Sequence, residues 1–309
     1  MLNATNNLNG SDAGFINKES RLMIFFRRLG MDRIAWSLRR LYCPVKKSDL
    51  VLEVGSGGSP FYRANVLCDA YLETSERHNV PLVSDRNMVL AYVENLPFKD
   101  DSFDFIIACH VLEHSRDPEK FLSEIQRVGR AGYIEVPDAF FERLANYPVH
   151  YLEITDDNGV LKINKKPGPV TDKNLSFLFR KTKNIFSKWY SENPFNFHVR
   201  YYWSKNNGGI KYEIMNPEYS FDWHINESIY LPPPKSGLLI MVKQLVLKLF
   251  RKFFSQNKRN KLIKIENYLR CLKCFGDLNR VNGELKCNIC FESYPILPNG
   301  IVNFTNTKQ

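Results

Sequence analysis

Apolar and polar positions along the chain follow two different periods. Residues 20–42 repeat apolar and basic side chains at helical spacing, which predicts one or two amphipathic helices. From Asp49 onward, short apolar runs alternate with helix-like stretches, and this alternation predicts a mostly parallel sheet flanked by helices. The apolar runs are DLVLEV, NVLCDAY, MVLAYV, FDFIIACHV and GYIEVP. The expected fold class is therefore α/β.

One helix and one hairpin are marked with particular clarity. Asp117 is suited to cap a helix and Pro118 to occupy its first turn, so a helix is expected to run from there to about Gly129. Its predicted buried stripe consists of Phe121, Leu122, Ile125 and Val128. Further along, the polar residues 157–159 separate two strand-like pieces and predict a hairpin turn.

Composition divides the chain into segments with different expected roles. A main domain is followed by an extension rich in aromatic residues, Asn and Lys, then by a basic helical linker and a cysteine-rich end. The predicted boundaries are 1–46 for a helical lead-in, 47–235 for the main domain (core 47–150, substrate-side extension 151–235), 236–268 for the linker and 269–309 for the last domain. The run LPPPK at 231–235 breaks regular structure before the linker.

The charge is distributed unevenly along the chain. The 309 residues hold 43 Lys and Arg against 33 Asp and Glu, for a net charge of +10. Residues 51–150 contain 9 basic and 16 acidic residues, a balance of −7, whereas residues 236–270 contain 9 basic and 1 acidic residue, a balance of +8. Any attraction to an anionic partner is therefore expected to be local to the linker.

A helix from Leu238 to Phe254 is predicted within that basic segment. Its basic residues fall on one half and its leucines and phenylalanines on the other, at about 100° per residue. Three interpretations stay open: an anchor at an anionic lipid surface, a phosphate-contacting surface for RNA, or a helix packed on the protein with a solvated basic face.

Membrane insertion and secretion are not expected. No apolar run reaches the roughly 18 residues of a membrane span. The first twenty residues lack the basic start and the apolar stretch of a secretory signal. We therefore expect a cytoplasmic protein, with peripheral membrane contact through residues 238–254 as an open alternative.

A buried strand that runs into a glycine turn marks the first candidate site. The sequence VLEVGSGGSP at 51–60 lets the backbone approach a nucleotide-like ligand at the carboxyl end of the strand. A dinucleotide fingerprint would need a third glycine at position 60, where Pro60 stands, so a nicotinamide cofactor is disfavoured. Two longer motifs follow, ENLPFKDDSFDFIIACHVLEH at 94–114 and RVGRAGYIEVP at 127–137.

Together these motifs resemble the class I S-adenosylmethionine-dependent methyltransferases over residues 45–150. The resemblance implies a Rossmann-like sheet and S-adenosylmethionine (SAM) as cofactor. It assigns the methionine part of SAM to the glycine turn, the ribose hydroxyls to Asp69, and the adenine and sulfonium side to the loop at 94–98 and Cys109. The implied cofactor residues are Glu53, Gly55, Ser56, Gly57, Asp69, Glu94 and Cys109.

One position departs from that family. Tyr92 stands where relatives usually carry an Asp that accepts a hydrogen bond from the adenine amine. A phenol there could stack on the cofactor or form a weaker hydrogen bond, with reduced affinity as the consequence. The alternative is an ordinary buried strand aromatic.

Methyl transfer mainly requires alignment of the acceptor with the methyl carbon, but a hydroxyl acceptor also benefits from a general base. Histidine is the natural choice near neutral pH. The candidates are His110, close to the cofactor, and His150, which follows the last clear strand. His150 is the preferred base because it lies in the region that should face the substrate, and His114 is expected to be structural. The run ACHV lacks the NPPY-type sequence of related N-methylating enzymes, which argues against adenine and glutamine as acceptors.

Four cysteines near the carboxyl end form two CxxC pairs separated by twelve residues. This spacing lets Cys271, Cys274, Cys287 and Cys290 present four thiolates to one tetrahedral ion. Zinc is the expected metal, with iron, two disulfides or free thiols as alternatives. Residues 271–304 resemble the small zinc-ribbon protein that activates certain tRNA, rRNA and release-factor methyltransferases, which implies a structural zinc and a ribbon docked on the methyltransferase domain.

The favoured functional hypothesis is SAM-dependent O-methylation of a small molecule or a glycan, including a lipid-linked one. The first alternative is an RNA methyltransferase, acting on tRNA or rRNA with its activator fused to it. The second is a non-catalytic scaffold module, which would not bind the cofactor. The oligomeric state stays open.

Overall fold

Seven strands form the central sheet of the computed structural model, which describes residues 19–74, 77, 80–224 and 238–305. Numbered in chain order, they are β1 (Val51–Val54), β2 (Val66–Asp69), β3 (Asn87–Leu90), β4 (Phe105–Cys109), β5 (Ala131–Pro137), β8 (His198–Ser204) and β13 (Val302–Asn303). They lie in the order β13-β3-β2-β1-β4-β5-β8. All neighbours are parallel except β5 and β8, so the predicted α/β class with a mostly parallel sheet is confirmed.

The strands at the centre of the sheet are buried along their whole length. Every residue of β1, β2 and β4 is buried, as expected for parallel strands that are covered on both faces. Their near-continuous apolar sequences follow from that burial. The only charged side chains in these three strands are Glu53 and Asp69, next to the predicted cofactor site.

Three helices agree with the sequence pattern. The lead-in folds as α1 (Arg21–Arg28) and α2 (Asp32–Leu38). The helix α3 (Pro118–Val128) connects β4 to β5 and begins at Asp117, whose Oδ1 accepts from the backbone N of Lys120 at 2.9 Å. All four residues of its predicted stripe are buried.

The connection from β1 to β2, residues 55–65, contains turns and no helix. The expectation of a helix-like stretch here is wrong, because three glycines and Pro60 disfavour one. The basic linker packs at this place instead, with the predicted helix α6 (Leu238–Phe254) and the short α7 (Asn257–Asn260). Asn65 Nδ2 donates to the side-chain oxygens of Gln256 and Asn260 at 3.0 and 2.8 Å. Among the described residues, no helix has both the length and the apolarity to cross a bilayer.

The extension after β5 forms a second layer beside the sheet. It contains α4 (Ala139–Ala145), β6 (Leu152–Asp157), β7 (Val160–Lys165), α5 (Lys173–Glu192) and β9 (Tyr212–Ile214). The strands β6 and β7 pair as the predicted hairpin, and β9 pairs with β7. Tyr151, just before β6, donates its backbone N–H to Glu113 O at 2.8 Å. The extension is therefore attached to the loop that follows β4.

The cysteine-rich end folds as a small antiparallel ribbon of β10 (Leu278–Val281), β11 (Glu284–Cys287) and β12 (Ser293–Pro295). It contacts the main domain at two places. Arg270 N donates to Pro97 O and Lys99 N donates to Tyr268 O, both at 2.8 Å. The chain then returns to the central sheet, where β13 pairs with β3. The ribbon and the sheet thereby share one buried core.

Candidate cofactor cleft and metal centre

A cleft of about 470 Å³ opens at the carboxyl ends of β1, β2 and β4. Parallel α/β sheets bind ligands at this edge, where the strand order reverses beside the first strand. Five of the predicted site residues line the cleft together: Gly55, Gly57, Asp69, Glu94 and His110. Four others, Glu53, Ser56, Cys109 and His150, do not line it.

The glycine turn at the cleft requires its glycines. Gly55 and Gly57 have φ values of +62° and +55°, which L side chains rarely adopt. A Cβ on Gly55 would lie 2.6 Å from Cβ of Val111, so this position also allows close packing of the two loops. Between them, Ser56 is buried, and its hydroxyl has no hydrogen-bond partner among the described residues. This hydroxyl therefore lies beneath the turn and not in the cleft lining.

Asp69, at the end of β2, holds the glycine turn in place. Its Oδ2 accepts from Gly57 N at 2.9 Å, and its Oδ1 accepts from Tyr71 N at 3.1 Å and from Arg77 Nη1 at 3.0 Å. A carboxylate offers about four acceptor positions. These contacts leave about one position for a ligand hydroxyl, which fits the ribose role that the family resemblance implies.

Two tyrosines form an aromatic rim on the same side. Tyr71 and Tyr92 line the cleft and meet edge to face, with ring centroids 5.9 Å apart. Their exposed fractions are 44% and 36%. The interpretation of Tyr92 as a buried strand aromatic is therefore wrong, and its ring is available to a planar ligand.

Glu53 and Cys109 lie beneath the cleft. Glu53 is 2% exposed, and its Oε2 accepts from the backbone N of Phe61 at 2.7 Å. Burial raises the pKa of Glu53 to about 8. Cys109 is also buried, its Sγ lies 3.0 Å from Glu135 Oε1, and burial raises the pKa of its thiol. Both side chains contact other buried residues and do not line the cleft, so any influence on the cofactor is expected to be indirect.

Glu135 on β5 is the centre of a buried polar network that the sequence did not predict. It is fully buried and accepts from Arg39 Nε at 2.8 Å, Arg39 Nη2 at 2.9 Å and Tyr133 Oη at 2.5 Å. The bidentate guanidinium contact is a strong form of charge-assisted hydrogen bond. The glutamate inside the apolar run GYIEVP indicated a buried polar group at this position. No local pattern indicated that its partner, Arg39, would come from the N-terminal helical segment.

His110 is held between two buried carboxylates. Its Nδ1 lies 3.4 Å from Glu113 Oε1 and its Nε2 lies 3.3 Å from Glu135 Oε1. Its φ of +55° is uncommon for a residue other than glycine, and its backbone N donates to Glu135 O at 2.7 Å. Burial opposes the charged ring, but the two carboxylates outweigh it and raise the pKa of His110 to about 9.

His150 lies behind the cleft lining. Its Nδ1 is 2.6 Å from Glu142 Oε2, and Lys166 Nζ donates to the other oxygen of Glu142 at 2.9 Å. Its ring meets that of His114 edge to face at a centroid distance of 4.7 Å. His114 does line the cleft, so the residue that we expected to be structural lies closer to a bound ligand than the preferred base.

The extension supplies residues of the cleft that sequence reasoning missed. Tyr151 and His224 line it together with Arg116. Arg116 Nη1 lies 2.7 Å from His224 Nδ1, and its guanidinium lies 5.5 Å from the centroid of the Tyr151 ring. This part of the cleft is therefore built from a tyrosine, a histidine and an arginine side chain. No local motif marked them, because they lie far from the glycine turn in sequence.

The four cysteines of the ribbon converge on one point. Their sulfur atoms all lie within 4.8 Å of one another, and all four thiols are free of disulfides. Phe275 and Phe291, which follow the second cysteine of each pair, both have φ of +61°. The backbone N atoms of Lys273 and Ile289 each donate to a cysteine sulfur at 3.4 Å. Such a four-thiolate set fits one tetrahedral ion.

Comparison with known proteins finds matches in the region that contains the cleft. The family described as a methyltransferase domain matches residues 52–134, which run from β1 into β5. The sheet order and this match agree with the predicted Rossmann-like methyltransferase fold. The uncharacterized protein MJ0638 of Methanocaldococcus jannaschii is 33% identical over 117 residues, which are 37% of this chain and 50% of that protein. The chain thus spans about half the length of this relative.

Other matches cover a smaller part of this chain or have a lower sequence identity. The uncharacterized protein MJ1123 of the same organism is 42% identical over 45 residues, 15% of this chain and 22% of that protein. A SAM-dependent methyltransferase structure from Thermotoga maritima shows 20% identity, covers 40% of this chain and 61% of its own, and has a TM-score of 0.29. A complex between the Haloferax volcanii Trm112 methyltransferase activator and a methyltransferase shows 17% identity, coverage of 42% and 76%, and a TM-score of 0.27.

Proposed function

We propose that this chain is a SAM-dependent methyltransferase that methylates an oxygen atom of a small molecule or a glycan, including a lipid-linked one. The observation that carries the proposal is the cleft, in which the glycine turn, Asp69, Glu94 and His110 meet at the carboxyl edge of the sheet. SAM, when bound, supplies a methyl group on a sulfonium that is already a good leaving group. The protein has to orient the acceptor and exclude water.

The acceptor end of the cleft supports a small acceptor. Tyr151, His224 and Arg116 surround it, and the core that carries it has an excess of acidic residues. A polynucleotide would need a basic surface that follows its phosphates. The basic linker packs beside the β1–β2 connection, through Asn65 and its contacts to Gln256 and Asn260. RNA methylation stays the alternative that the experiment below tests.

Neither base candidate combines a place in the cleft lining with a ring nitrogen away from a carboxylate. Both nitrogens of His110 lie beside carboxylates, and Nδ1 of His150 lies beside Glu142. A proton acceptor needs an available lone pair within hydrogen-bond reach of the substrate. We therefore infer that His110 holds the cleft wall in place through its contacts with Glu113 and Glu135. His150 influences the cleft through its ring contact with His114.

We propose zinc as the ion of the ribbon and a structural role for it. Four cysteine sulfurs within 4.8 Å fit the four-thiolate sites of structural zinc. The ribbon buries few apolar side chains of its own, among them Leu278, Leu285 and Tyr294. An ion can supply the free energy that such a small core lacks.

We also propose that α6 contacts an anionic lipid surface. Its apolar side chains are strongly exposed: Leu245, Leu249, Phe250, Phe253 and Phe254 are 58%, 45%, 40%, 76% and 55% exposed. Lys248 and Lys252 are exposed on the same helix. An amphipathic helix with a basic face and exposed phenylalanines is typical of interfacial binding. A lipid-linked acceptor would then be presented near the cleft-bearing domain.

Methyl transfer from labelled SAM tests the acceptor class. The full chain, loaded with zinc, is incubated with a lipid-linked oligosaccharide fraction, with a small-molecule fraction and with total RNA. We expect label in one of the first two fractions, with at least a hundredfold loss in Asp69→Ala. Label in RNA, decreasing steeply with salt, would overturn the proposal in favour of RNA methylation. No transfer and no cofactor binding would favour the scaffold.

A further inference from the structure

Three side chains beside and behind the cleft lining come together as a set of possible metal ligands. Glu113, His114 and His150 each offer one ligand atom, and these atoms lie within 4.8 Å of one another. Two imidazoles and one carboxylate form a common ligand set for divalent transition metals. The set is distinct from the four cysteines, which lie in the ribbon.

The backbone holds the three residues in this arrangement. Glu113 and His114 are adjacent in a short 3₁₀ turn after β4, where His114 N donates to Val111 O at 3.2 Å. His150 comes from the extension, and the following residue, Tyr151, donates its N–H to Glu113 O at 2.8 Å. The site therefore joins two elements that are distant in sequence.

The carboxylate of Glu113 has an ion-pair contact with His110 but no hydrogen bond among the described residues. Glu113 is 2% exposed, and neither of its oxygens makes a hydrogen bond among the described residues. Its contact with His110, at 3.4 Å, lacks hydrogen-bond geometry. A buried carboxylate without hydrogen bonds is costly. A directly bound metal ion would remove that cost.

His150 is oriented as metal-binding histidines are. Lys166 Nζ donates to Glu142 Oε1 at 2.9 Å, and Glu142 Oε2 lies 2.6 Å from His150 Nδ1, in the position to accept a hydrogen bond from the Nδ1–H tautomer. This leaves Nε2 of His150 as the nitrogen with a free lone pair. A carboxylate that fixes the tautomer of a histidine is the usual outer partner of a metal ligand.

We propose that Glu113, His114 and His150 bind a divalent transition-metal ion, such as Zn²⁺ or Mn²⁺, beside the cleft. His114 lines the cleft, and a set of three protein ligands leaves a fourth coordination position open, as in catalytic rather than structural metal sites. If the proposed methyl transfer is correct, the ion would hold the acceptor oxygen and lower the pKa of its proton. It would supply the activation that neither base candidate provides.

Titration with Mn²⁺ tests the site in the full chain. The ribbon is first loaded with one equivalent of zinc, and Mn²⁺, which avoids thiolates, is added while free Mn²⁺ is measured by electron paramagnetic resonance. We expect one additional ion per chain and at least a tenfold weaker affinity in Glu113→Gln. The control Glu119→Gln, an exposed carboxylate on α3, should bind within twofold of the unmodified protein. Equal binding by Glu113→Gln, or no additional ion, would overturn the proposal.

A second measurement requires no variant. Electron spin-echo modulation from the nitrogen of an imidazole ligand is expected on the bound Mn²⁺, and its absence would also overturn the assignment. Neither measurement uses SAM or an acceptor. Binding of S-adenosylhomocysteine tests the proposed function independently, so the two proposals can fail separately.

Discussion

The central sheet and the cysteine ribbon are held together in different ways. The sheet buries whole strands, such as β1 and β4, between two layers of apolar side chains. The ribbon has three short strands and four cysteine sulfurs around one point. The first is stabilised by burial of apolar area, and we propose that an ion bound by the cysteines stabilises the second. Chelation is therefore expected to act first on the ribbon and, through the shared core, on the sheet.

The comparison also shows how the two regions depend on each other. The segment before Cys271 pairs with the loop at Pro97 and Lys99, a few residues after Glu94 of the cleft. Past the ribbon, β13 forms the edge of the central sheet. Loss of the proposed ion should therefore disturb the wall of the cleft, although none of the four cysteines lines the cleft.

Removal of a ribbon ligand should have the largest effect on stability. Cys287→Ser takes one thiolate from the proposed zinc site, and structural zinc in small domains contributes on the order of 10 kcal/mol. We expect a fall in the free energy of unfolding of at least several kcal/mol, and a similar fall in melting temperature on chelation. The control Cys43→Ser removes a thiol outside the cluster. Unchanged stability with no bound metal would refute a structural ion.

The junction of the ribbon and the sheet can be weakened without touching the ion. Phe304 is 2% exposed, packs on Tyr294 at a centroid distance of 4.3 Å, and donates its backbone N–H to Leu90 O. Phe304→Ala should cost about 3–5 kcal/mol, measured by urea unfolding of the zinc-loaded protein. Phe291→Ala, at a 69% exposed ribbon position, is the matched control. Equal stability of both variants would mean that the two regions are independent.

The pH dependence of the free energy of unfolding tests the central sheet, because it depends on Glu53 in β1 and not on the ribbon. The pKa of Glu53 is about 8 in the folded protein because of burial, against about 4.3 in an unfolded chain. Between these values the folded state holds a proton that the unfolded state releases, so stability falls as the pH rises. In the unmodified protein this group should lower the free energy of unfolding by roughly 4 kcal/mol between about pH 4.5 and 8. Glu53→Gln should abolish that decrease.

The control for that experiment is Glu218→Gln, which changes an exposed carboxylate. The free energy of unfolding is measured by urea titration across the pH range. Parallel curves for the unmodified protein and Glu53→Gln would contradict a protonated Glu53 under the cleft.

The smallest expected effect concerns α6, which belongs to neither region. Phe253 is 76% exposed, and Phe253→Ala should weaken binding to vesicles of anionic lipid by about fivefold, which is about 1 kcal/mol. Sedimentation with vesicles measures it, with Phe291→Ala as the control. No binding by the unmodified protein, or equal binding by both variants, would leave α6 as a helix without a lipid role.

Local sequence signals predicted the elements on which the cleft rests. The glycines at 55 and 57, the Asp117–Pro118 start of α3, the 157–159 turn and the spacing of the cysteines all act within a few residues, and each element lies where the pattern indicated. Periodicity and capping depend on neighbours along the chain. They can therefore be read without knowledge of the fold.

The features that the sequence did not reveal depend on distant partners. Arg39 and Glu135 are 96 residues apart, yet they form the bidentate contact under the cleft. Whether His150 faces the cleft or stands behind His114 depends on how the extension docks. The linker occupies the place beside β1 and β2 where a crossover helix was expected. Such contacts arise from tertiary packing, which no local pattern encodes.

Calorimetric titration with S-adenosylhomocysteine tests the cofactor cleft most directly, because it requires no knowledge of the acceptor. We expect micromolar binding by the zinc-loaded chain and at least a hundredfold loss in Asp69→Ala, because this carboxylate both holds the glycine turn and offers a position to the ribose. Asp157→Ala, at the exposed hairpin turn, should bind as the unmodified protein does. Absence of binding by a folded, zinc-loaded protein would contradict the methyltransferase proposal.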